Sequence, residues 1–545
     1  MMAFTIVSFI AFTVLVAVIA WRKTRSDKLD TKDGYFLAGR SLTAPVIAGS
    51  LMLTNLSTEQ LVGQAGQSFA TNMGPIAWEA TSGLALIMLA LIFLPRYLKL
   101  GITTIPEFLE KRFDATVKRI ISVLFLLGYL LTYLPTVLYS GALVFNHIFG
   151  IDKALGVTQL QGVAVTATII GIAGAIYAIF GGLKAVAVSD TVNGVGLLIG
   201  GILLPVMTLY LIGKGSIGYG LSQLIHLLPA EKFNAVNPAN AQPPMIPWPL
   251  LFTGMVINNM FYWCTNQAII QRTLGAKNLK EAQKGALFCA MLKFLTPLFI
   301  TSCGLLAYFM YQEKLFTPDQ IQRLGATNGA DLAYPMLLLH VIPKWLLGFF
   351  AAVLFGAILS SFNSALNSSV TLYTLDLHRP LFNPQASDEH LVKIGKRFGT
   401  VLAVVSIAVA PLVSLAPTGL YDFLQACFGF FNVPILASVI IGISSKRVPA
   451  LAPKVGLITH VVLYSASKFM SLQIHYLYVL FVLFLFNIVL QVIIGKIAPR
   501  ATEFKLEDAK AVDTTPWKYR KVVAGVIIIL MALMYSVFSP LVLAR

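Results

Sequence analysis

Long uninterrupted apolar runs are the feature of this sequence that most limits what it can fold into. Stretches such as IISVLFLLGYLLTYLPTVLYSGALV (120–144) and FVLFLFNIVLQVII (481–494) contain no charged residue. A run of about 20 apolar residues in a helix crosses a hydrocarbon layer about 30 Å thick. Charged residues make up 12% of the chain, against roughly 25% in soluble proteins. Strands of a membrane barrel would alternate instead, so the runs predict an all-α integral membrane protein.

Fourteen membrane spans are predicted from the apolar runs. They lie at 2–21, 44–68, 76–95, 120–149, 157–179, 186–213, 246–271, 285–312, 345–375, 398–414, 418–444, 455–471, 474–495 and 522–541. If the N-terminus is outside, the large majority of the 40 Lys and Arg residues fall in inner loops, as the positive-inside rule requires. The net charge of +17 is therefore explained by topology, with both termini outside, and predicts no nucleic-acid partner.

Two of these spans are interrupted by polar residues at membrane depth. The second contains TNLSTEQ (54–60), and the seventh contains Asn258, Asn259, Asn266 and Gln267. Such residues cost several kcal/mol in lipid unless they have partners, and a broken helix is tolerated only inside protein or beside a cavity. Two broken helices five spans apart are typical of inverted-repeat transporters, which bind ligands between the repeats. The alternative is that these amides and hydroxyls only join neighbouring helices.

Several motifs carry a resemblance to a known family. They are GYFLAGRSL (34–42), TNLSTEQLVG (54–63), TIPEFLEKRF (104–113), FGGLKAVAVSD (180–190), NQAIIQRTLGAKNLKEAQKG (266–285) and SSFNSALNSSVTLYTLD (360–376). With these motifs the chain resembles the solute:sodium symporter family, in particular its bacterial sodium/sugar branch. The resemblance implies a leucine-transporter-like fold with a core of two inverted five-helix repeats.

The resemblance also divides the chain. An extra helix and inner loop (1–43) precede the first repeat (44–213), an outer loop (214–245) connects it to the second repeat (246–444), and peripheral helices (445–545) follow. It implies a multi-pass protein of the bacterial inner membrane. Its implied partners are the lipid bilayer, a small solute and sodium.

A sodium ion is implied as the coupling ion, held where the second span is broken. Family positions fall on the carbonyls of Leu53 and Leu56 and on Ala357, Ser360 and Ser361. The two serines lie one helical turn beyond Ala357, so their hydroxyls can approach the same point as its carbonyl. The alternative is that the serines bond only to the preceding turn of their own helix.

A second sodium is the less certain part of the resemblance. Some relatives hold it with an aspartate and two hydroxyls beyond the serine pair. The matching residues here are Asp190, Asn363 and Ser364. Since an amide stands where a hydroxyl is expected, the number of sodium ions stays open.

The solute site implied by the resemblance is polar and suits a sugar, because sugar hydroxyls both donate and accept hydrogen bonds. The solute-binding positions fall on Asn55, Gln60, Trp78, Glu79, Ser82, Asn259, Lys293 and Gln425. The gate positions fall on Tyr262 on the inner side and on Gln64 and Tyr421 on the outer side.

The sequence therefore predicts a sodium-coupled symporter that imports a monosaccharide by alternating access. One alternative is a sodium symporter for a sialic or sugar acid or an amino acid. Another is an ion channel, which would need repeated rings of carbonyls or charges along a pore. An enzyme is not expected, because neither a phosphate-binding glycine loop nor a nucleophile elbow occurs in the sequence.

Overall fold

The structure, a computed structural model, describes residues 2–242, 244–326, 329–415, 420–470 and 474–545. Over these residues all regular secondary structure is helical, and the β-pairing consists of isolated bridges. The all-α membrane architecture predicted from the apolar runs is confirmed.

Eighteen helices, labelled here in chain order, build the membrane part. The first half contains α1 (Met2–Thr24), α2 (Ala44–Asn55), α3 (Thr58–Ala70), α4 (Ile76–Leu100), α5 (Ala115–Phe149), α6 (Gln159–Ile179) and α7 (Gly181–Ile212). The second half contains α8 (Gly254–Cys264), α9 (Gln267–Leu274), α10 (Leu279–Lys293), α11 (Thr296–Gln312), α12 (Lys344–Phe382), α13 (Asp388–Leu415), α14 (Leu420–Phe428) and α15 (Asn432–Ser444). The last three are α16 (Leu451–Phe469), α17 (Tyr476–Ile497) and α18 (Arg520–Val537).

Short helices occupy the connections between the spans. They are Lys32–Leu37, Ile105–Arg112, Ile151–Leu155, Ile217–Leu227, Pro318–Leu324 and Ala333–Val341.

The number of membrane crossings depends on how broken helices are counted. In the described part of the chain, nine helices are long and apolar enough to cross a membrane. If α10 and α11, which are bent by 45° relative to each other, are counted as one span, the number is ten. The other predicted spans coincide with α2–α3, α8–α9 and α14–α15, which are interrupted, and with the 19-residue helix α16. The count of fourteen therefore stays a prediction.

The predicted interruption of the second span is a real break between α2 and α3. Leu56 has φ −90° and ψ 76°, and Ser57 is extended at φ −105° and ψ −179°. The Leu56 N–H still donates to the Met52 carbonyl over 2.9 Å, but the backbone leaves the helical conformation at these two residues. The carbonyls that follow Met52 at the end of α2 are therefore left without a helical donor. The seventh span breaks at Thr265, and the side chain of Asn266 accepts from the Ala268 N–H to begin α9.

A third bend separates α6 from α7 at Gly182, where φ is +63° and ψ is −176°. This backbone conformation is accessible to glycine at little cost because glycine has no Cβ. The bend lets α7 turn and pack along both α2 and α12.

Packing places the first break at the centre of the molecule. The helix α2 lies against α7, α10 and α12, and α3 lies against α11. The helix α4 packs on both α8 and α10. The peripheral helices, by contrast, leave large apolar side chains such as Val482 and Ile529 more than half exposed, as expected for a lipid-facing surface.

Candidate functional site

The carboxylate of Glu79, in the first turn of α4, is the centre of a buried polar cluster. Lys293, the last residue of α10, donates from its Nζ to Glu79 Oε2 and to Asn55 Oδ1. Thr296 Oγ1 donates to Glu79 Oε2 over 3.0 Å, and Gln64 Nε2 donates to Glu79 Oε1 over 2.8 Å. Lys293 is 0% and Glu79 is 1% exposed. Both charges are thus paired and hydrogen-bonded, the condition under which a buried ion pair is tolerated.

Gln60 completes this cluster from α3. With its amide oriented to suit its neighbours, its nitrogen donates to Glu79 Oε1 over 3.1 Å, and its oxygen accepts from Asn55 Nδ2 over 2.9 Å. The break thus brings residues from both of its sides to the same ion pair: Asn55 accepts from Lys293, and Gln60 donates to Glu79.

A second polar group surrounds Asn259 on α8. Ser82 Oγ donates to Asn259 Oδ1 over 3.0 Å, and Asn259 Nδ2 donates to Thr81 Oγ1 over 2.6 Å and faces the Trp78 carbonyl at 3.4 Å. These contacts tie α8 to α4. Each predicted solute residue on these two helices is therefore close to another predicted solute residue.

Gln425 is joined to this region through the neighbouring amide, Asn258. Asn258 Nδ2 donates to Gln425 Oε1 over 3.2 Å, and Asn432 Nδ2 donates to Asn258 Oδ1 over 2.7 Å. From the sequence, Asn258 is recognised only as an interruption of the apolar run and not as part of the solute site.

The predicted gate residues lie in different settings. The ring of Tyr262 stands edge-to-face with Trp263, with ring centres 5.3 Å apart, and Lys293 Nζ is 5.5 Å from the Trp263 ring centre. Gln64, predicted as an outer gate residue, binds Glu79 within the polar cluster. The side chain of Tyr421 lies outside the described residues.

The predicted sodium residues meet where α12 crosses the end of α2. Ser361 Oγ donates to the Thr54 carbonyl over 2.8 Å, and Ser360 Oγ lies 3.3 Å from Thr54 Oγ1. Leu53 and Leu56 flank Thr54, and Ala357 lies one turn before the serines on α12; all three are 0% exposed. Hydroxyl and carbonyl oxygens of this kind are the ligands that hard cations prefer.

The residues predicted for a second sodium have different neighbours in the structure. Asp190 and Ser364 both approach the guanidinium of Arg272, whereas the side-chain oxygen of Asn363 has no hydrogen-bond partner among the described residues. Asn363 lines a cavity of about 60 Å³ together with Ser189, Asn193 and Ser360, one of the predicted sodium residues.

Three residues of the site were missed by sequence reasoning. Thr54 lies inside the polar run that marked the break, so it could have been included. Thr296 follows Lys293 by three residues, the spacing that places two side chains on one helix face. Arg272 stands inside the motif NQAIIQRTL, and nothing local to it indicates that its side chain reaches α7 and α12.

Comparisons with known proteins agree on one family. Residues 35–459 match the sodium:solute symporter family. The chain is 46% identical to an uncharacterized symporter, YidK, of Escherichia coli strain K12, covering 97% of this chain and 90% of that protein. It is 30% identical to a sodium/glucose cotransporter of Vibrio parahaemolyticus, covering 98% of both chains.

A solved structure of a Na+-coupled sialic acid symporter, in a substrate-bound outward-open state, has a similar fold. The TM-score is 0.77 with 20% sequence identity, and the match covers 91% of this chain and 98% of that one. At this identity the similarity concerns the fold alone, and it confirms the predicted leucine-transporter-like architecture.

Proposed function

Because this chain belongs to the sodium:solute symporter family, we propose that it imports a neutral monosaccharide together with sodium by alternating access. The observation that carries the proposal is the buried cluster in which Lys293, Glu79, Asn55 and Gln60 meet at the broken helix. The coupling ion is inferred from family membership, and the class of solute is inferred from the chemistry of the cluster.

The charge of the cluster favours a neutral solute. Its described cation, Lys293, is already matched by the carboxylate of Glu79. A sugar hydroxyl can donate to the carboxylate and accept from the ammonium without changing the net charge of the site. A carboxylated solute would bring an unmatched negative charge into a buried site, which is costly unless a second cation meets it.

The amides around the ion pair suit several hydroxyls at once. Asn55, Gln60 and Asn259 each offer two N–H donors and a carbonyl acceptor, and they approach from α2, α3 and α8. In the present arrangement Asn55 and Gln60 bond to each other, Gln60 also bonds to Glu79, and Asn259 bonds to Ser82 and Thr81. A bound sugar would replace these contacts with its own. An aromatic ring such as that of Tyr262 can cover the apolar face of a sugar.

Sodium coupling follows from the position of the break. A cation site lies beside Thr54, where the hydroxyls of Ser360 and Ser361 approach from α12. Asn55 is the next residue of the chain, so a cation bound there would fix the end of α2. The Asn55 side-chain amide would then be held in place to bind the solute. Binding of the ion and of the solute would then stabilise the same arrangement, which is the basis of positive coupling between two ligands.

Uptake into proteoliposomes tests the proposal. Purified protein would be assayed with radiolabelled D-galactose, D-glucose, myo-inositol, N-acetylneuraminic acid and L-proline, under an inward sodium gradient and under an equal potassium gradient. We expect sodium-dependent accumulation of at least one neutral sugar that is abolished by Glu79→Gln. A panel in which only N-acetylneuraminic acid or an amino acid accumulates would establish the carboxylated-solute alternative and overturn the sugar proposal.

A further inference from the structure

We propose that a cavity between α4, α18 and the one-turn helix Trp248–Phe252 binds an acyl chain of a phospholipid from the outer leaflet of the membrane. None of the residues that meet at Glu79 in the polar cluster lines this cavity. The proposal depends on the membrane position of these helices and not on the identity of the solute.

The cavity has a volume of about 300 Å³ and a mainly apolar wall. Its apolar side chains come from α4, from α18 and from the one-turn helix, and they are Leu84, Met531, Ala532, Trp248, Leu251 and Phe252. Such a wall offers water few hydrogen bonds, and apolar cavities of this kind stay dry. Since an apolar cavity of about 150 Å³ takes up benzene, this one has room for a longer hydrocarbon segment.

The cavity opens at the lipid-facing surface. Two of its wall residues, Phe252 and Trp248, are 73% and 46% exposed, and Ala532 is exposed as well. On the same helix as Ala532, the apolar residues Ile529 and Leu533 are 61% and 56% exposed, as expected for side chains in contact with lipid. The hydrocarbon beside the opening is therefore that of the bilayer, and an acyl chain that enters gains dispersion contacts with the wall.

The depth of the cavity corresponds to the outer leaflet. At 1.5 Å per residue, Thr81 lies about 8 Å from the start of α4 at Ile76, and Tyr535 lies about 3 Å from the end of α18 at Val537. Both of these helix ends are on the outer side in the predicted topology. Trp and Tyr residues are enriched at this level of a membrane, where the head groups meet the acyl chains.

The wall also contains a hydroxyl without a partner. Tyr535 lines the cavity, and its buried Oη has no hydrogen-bond partner among the described residues. Buried tyrosine hydroxyls usually find one. The ester carbonyls that join acyl chains to a phospholipid head group are hydrogen-bond acceptors. A phospholipid therefore offers both hydrocarbon for the apolar wall and an acceptor for this donor.

The outer side of the cavity is held in place by backbone hydrogen bonds. The Ala235 N–H donates to the Phe538 carbonyl just beyond α18 over 2.7 Å, and the Trp248 N–H donates to the Asn237 carbonyl over 3.0 Å. Asn237 Oδ1 in turn accepts from Asn72 Nδ2 over 2.6 Å. The outer segment is thus tied to α18 and to the loop before α4, so the cavity is a defined part of the fold.

Thr81 connects the cavity to the solute site. It lines the cavity, and its Oγ1 accepts from Asn259 Nδ2 over 2.6 Å. The same hydroxyl donates to the Ala77 carbonyl on its own helix over 2.6 Å. An acyl chain in the cavity would therefore pack against the helix that carries Glu79, and would support the wall of the solute site from the lipid side.

Photochemical labelling of the full-length protein tests the proposal in nanodiscs of phosphatidylethanolamine and phosphatidylglycerol. The probe is a phosphatidylglycerol with a diazirine in one acyl chain, and the labelled peptides are identified by mass spectrometry. We expect the label to concentrate on residues 248–252 and 531–535. A label spread evenly over the lipid-facing helices would overturn the proposal.

Variants that fill the cavity separate it from the general lipid surface. Ala532→Phe places a ring in the cavity and should remove the concentrated label. Leu533→Phe adds the same ring at the neighbouring lipid-facing position and should keep the wild-type pattern. Leu84→Phe fills the cavity from α4, and it serves as the second variant if Ala532→Phe does not fold. Unchanged labelling in a folded filling variant would overturn the proposal.

A second probe distinguishes a phospholipid from a single-chain molecule. Palmitic acid with the same diazirine would be added to the same nanodiscs. Concentrated labelling by the phosphatidylglycerol probe supports the proposal. Labelling of residues 248–252 and 531–535 by the fatty acid alone would assign the cavity to a single-chain apolar molecule and overturn the phospholipid assignment.

Discussion

Lys293 and Glu79 form a buried ion pair that joins the end of α10 to the first turn of α4. The ammonium also donates to Asn55 at the end of α2, so a single charge connects three helices at the broken span. Removing one partner of such a pair leaves the other charge buried without compensation, which is more damaging than losing a surface ion pair.

Lys293→Ala is expected to weaken solute binding. The loss of a charge-assisted hydrogen bond costs about 1.5–3 kcal/mol, which corresponds to roughly a ten- to hundredfold rise in the apparent KM. Sodium binding measured without solute should change far less, because Lys293 contacts none of the predicted sodium oxygens. Lys284→Ala, on the same helix but partly exposed beside Glu281, is the matched control. Wild-type KM in Lys293→Ala would show that the lysine takes no part in solute binding.

Ser361→Ala is expected to abolish sodium-stimulated uptake while the protein stays folded. The change removes one oxygen from a small coordination shell and little packing volume. Ser360→Ala should have a weaker effect. Ser369→Ala is the control, because the hydroxyl of this serine, on the same helix, donates to the Ala365 carbonyl one turn before it and to no other group in the described ranges. Sodium dependence that is undiminished in Ser361→Ala would exclude the site as described.

Both termini are expected on the extracytoplasmic side. In a variant lacking the four native cysteines, Arg545→Cys should react with a membrane-impermeant maleimide in intact cells. Lys510→Cys, in the exposed segment between α17 and α18, should react only after the cells are permeabilised. The reverse pattern of labelling would overturn the topology.

Lys232, in the outer loop, is expected to make the free energy of unfolding depend on pH in the alkaline range. Burial lowers the pKa of Lys232 from 10.5 to about 8, and nearby Glu231 raises it slightly. The amine donates to the Phe69 carbonyl over 3.1 Å and lies 3.5 Å from the centre of the Tyr308 ring. Between about pH 8 and 10.5 the unfolded chain holds a proton that the folded protein has lost, so stability rises with pH in this window.

Thermal unfolding in detergent at several pH values measures this effect. The unfolding free energy of the wild type relative to Lys232→Met should increase from pH 8 to pH 10. Lys214→Met, at an exposed lysine of the same outer region, should show no such trend relative to the wild type. A constant difference between wild type and Lys232→Met across this range would contradict the lowered pKa.

The amino-acid sequence by itself determined the all-α membrane class and the position of both broken helices. Hydrophobic length is a local property of the chain, and polar residues at membrane depth can be recognised from their immediate neighbours. The TNLSTEQ run marked the break that the structure places at Leu56 and Ser57. The family motifs added the leucine-transporter-like fold and placed Lys293 and Glu79 in one predicted solute site.

Only the tertiary structure decided which distant side chains share a partner. Lys293 and Glu79 are separated by 214 residues, and Arg272 and Ser364 by 92. Such contacts depend on how α2, α7, α9, α10 and α12 pack together, which no local pattern contains. For this reason the sequence grouped Asp190, Asn363 and Ser364 as one cation site. In the structure Asp190 and Ser364 approach the buried guanidinium of Arg272, whereas Asn363 lines a cavity with Ser189, Asn193 and Ser360, and these neighbours come from helices that are distant in the sequence.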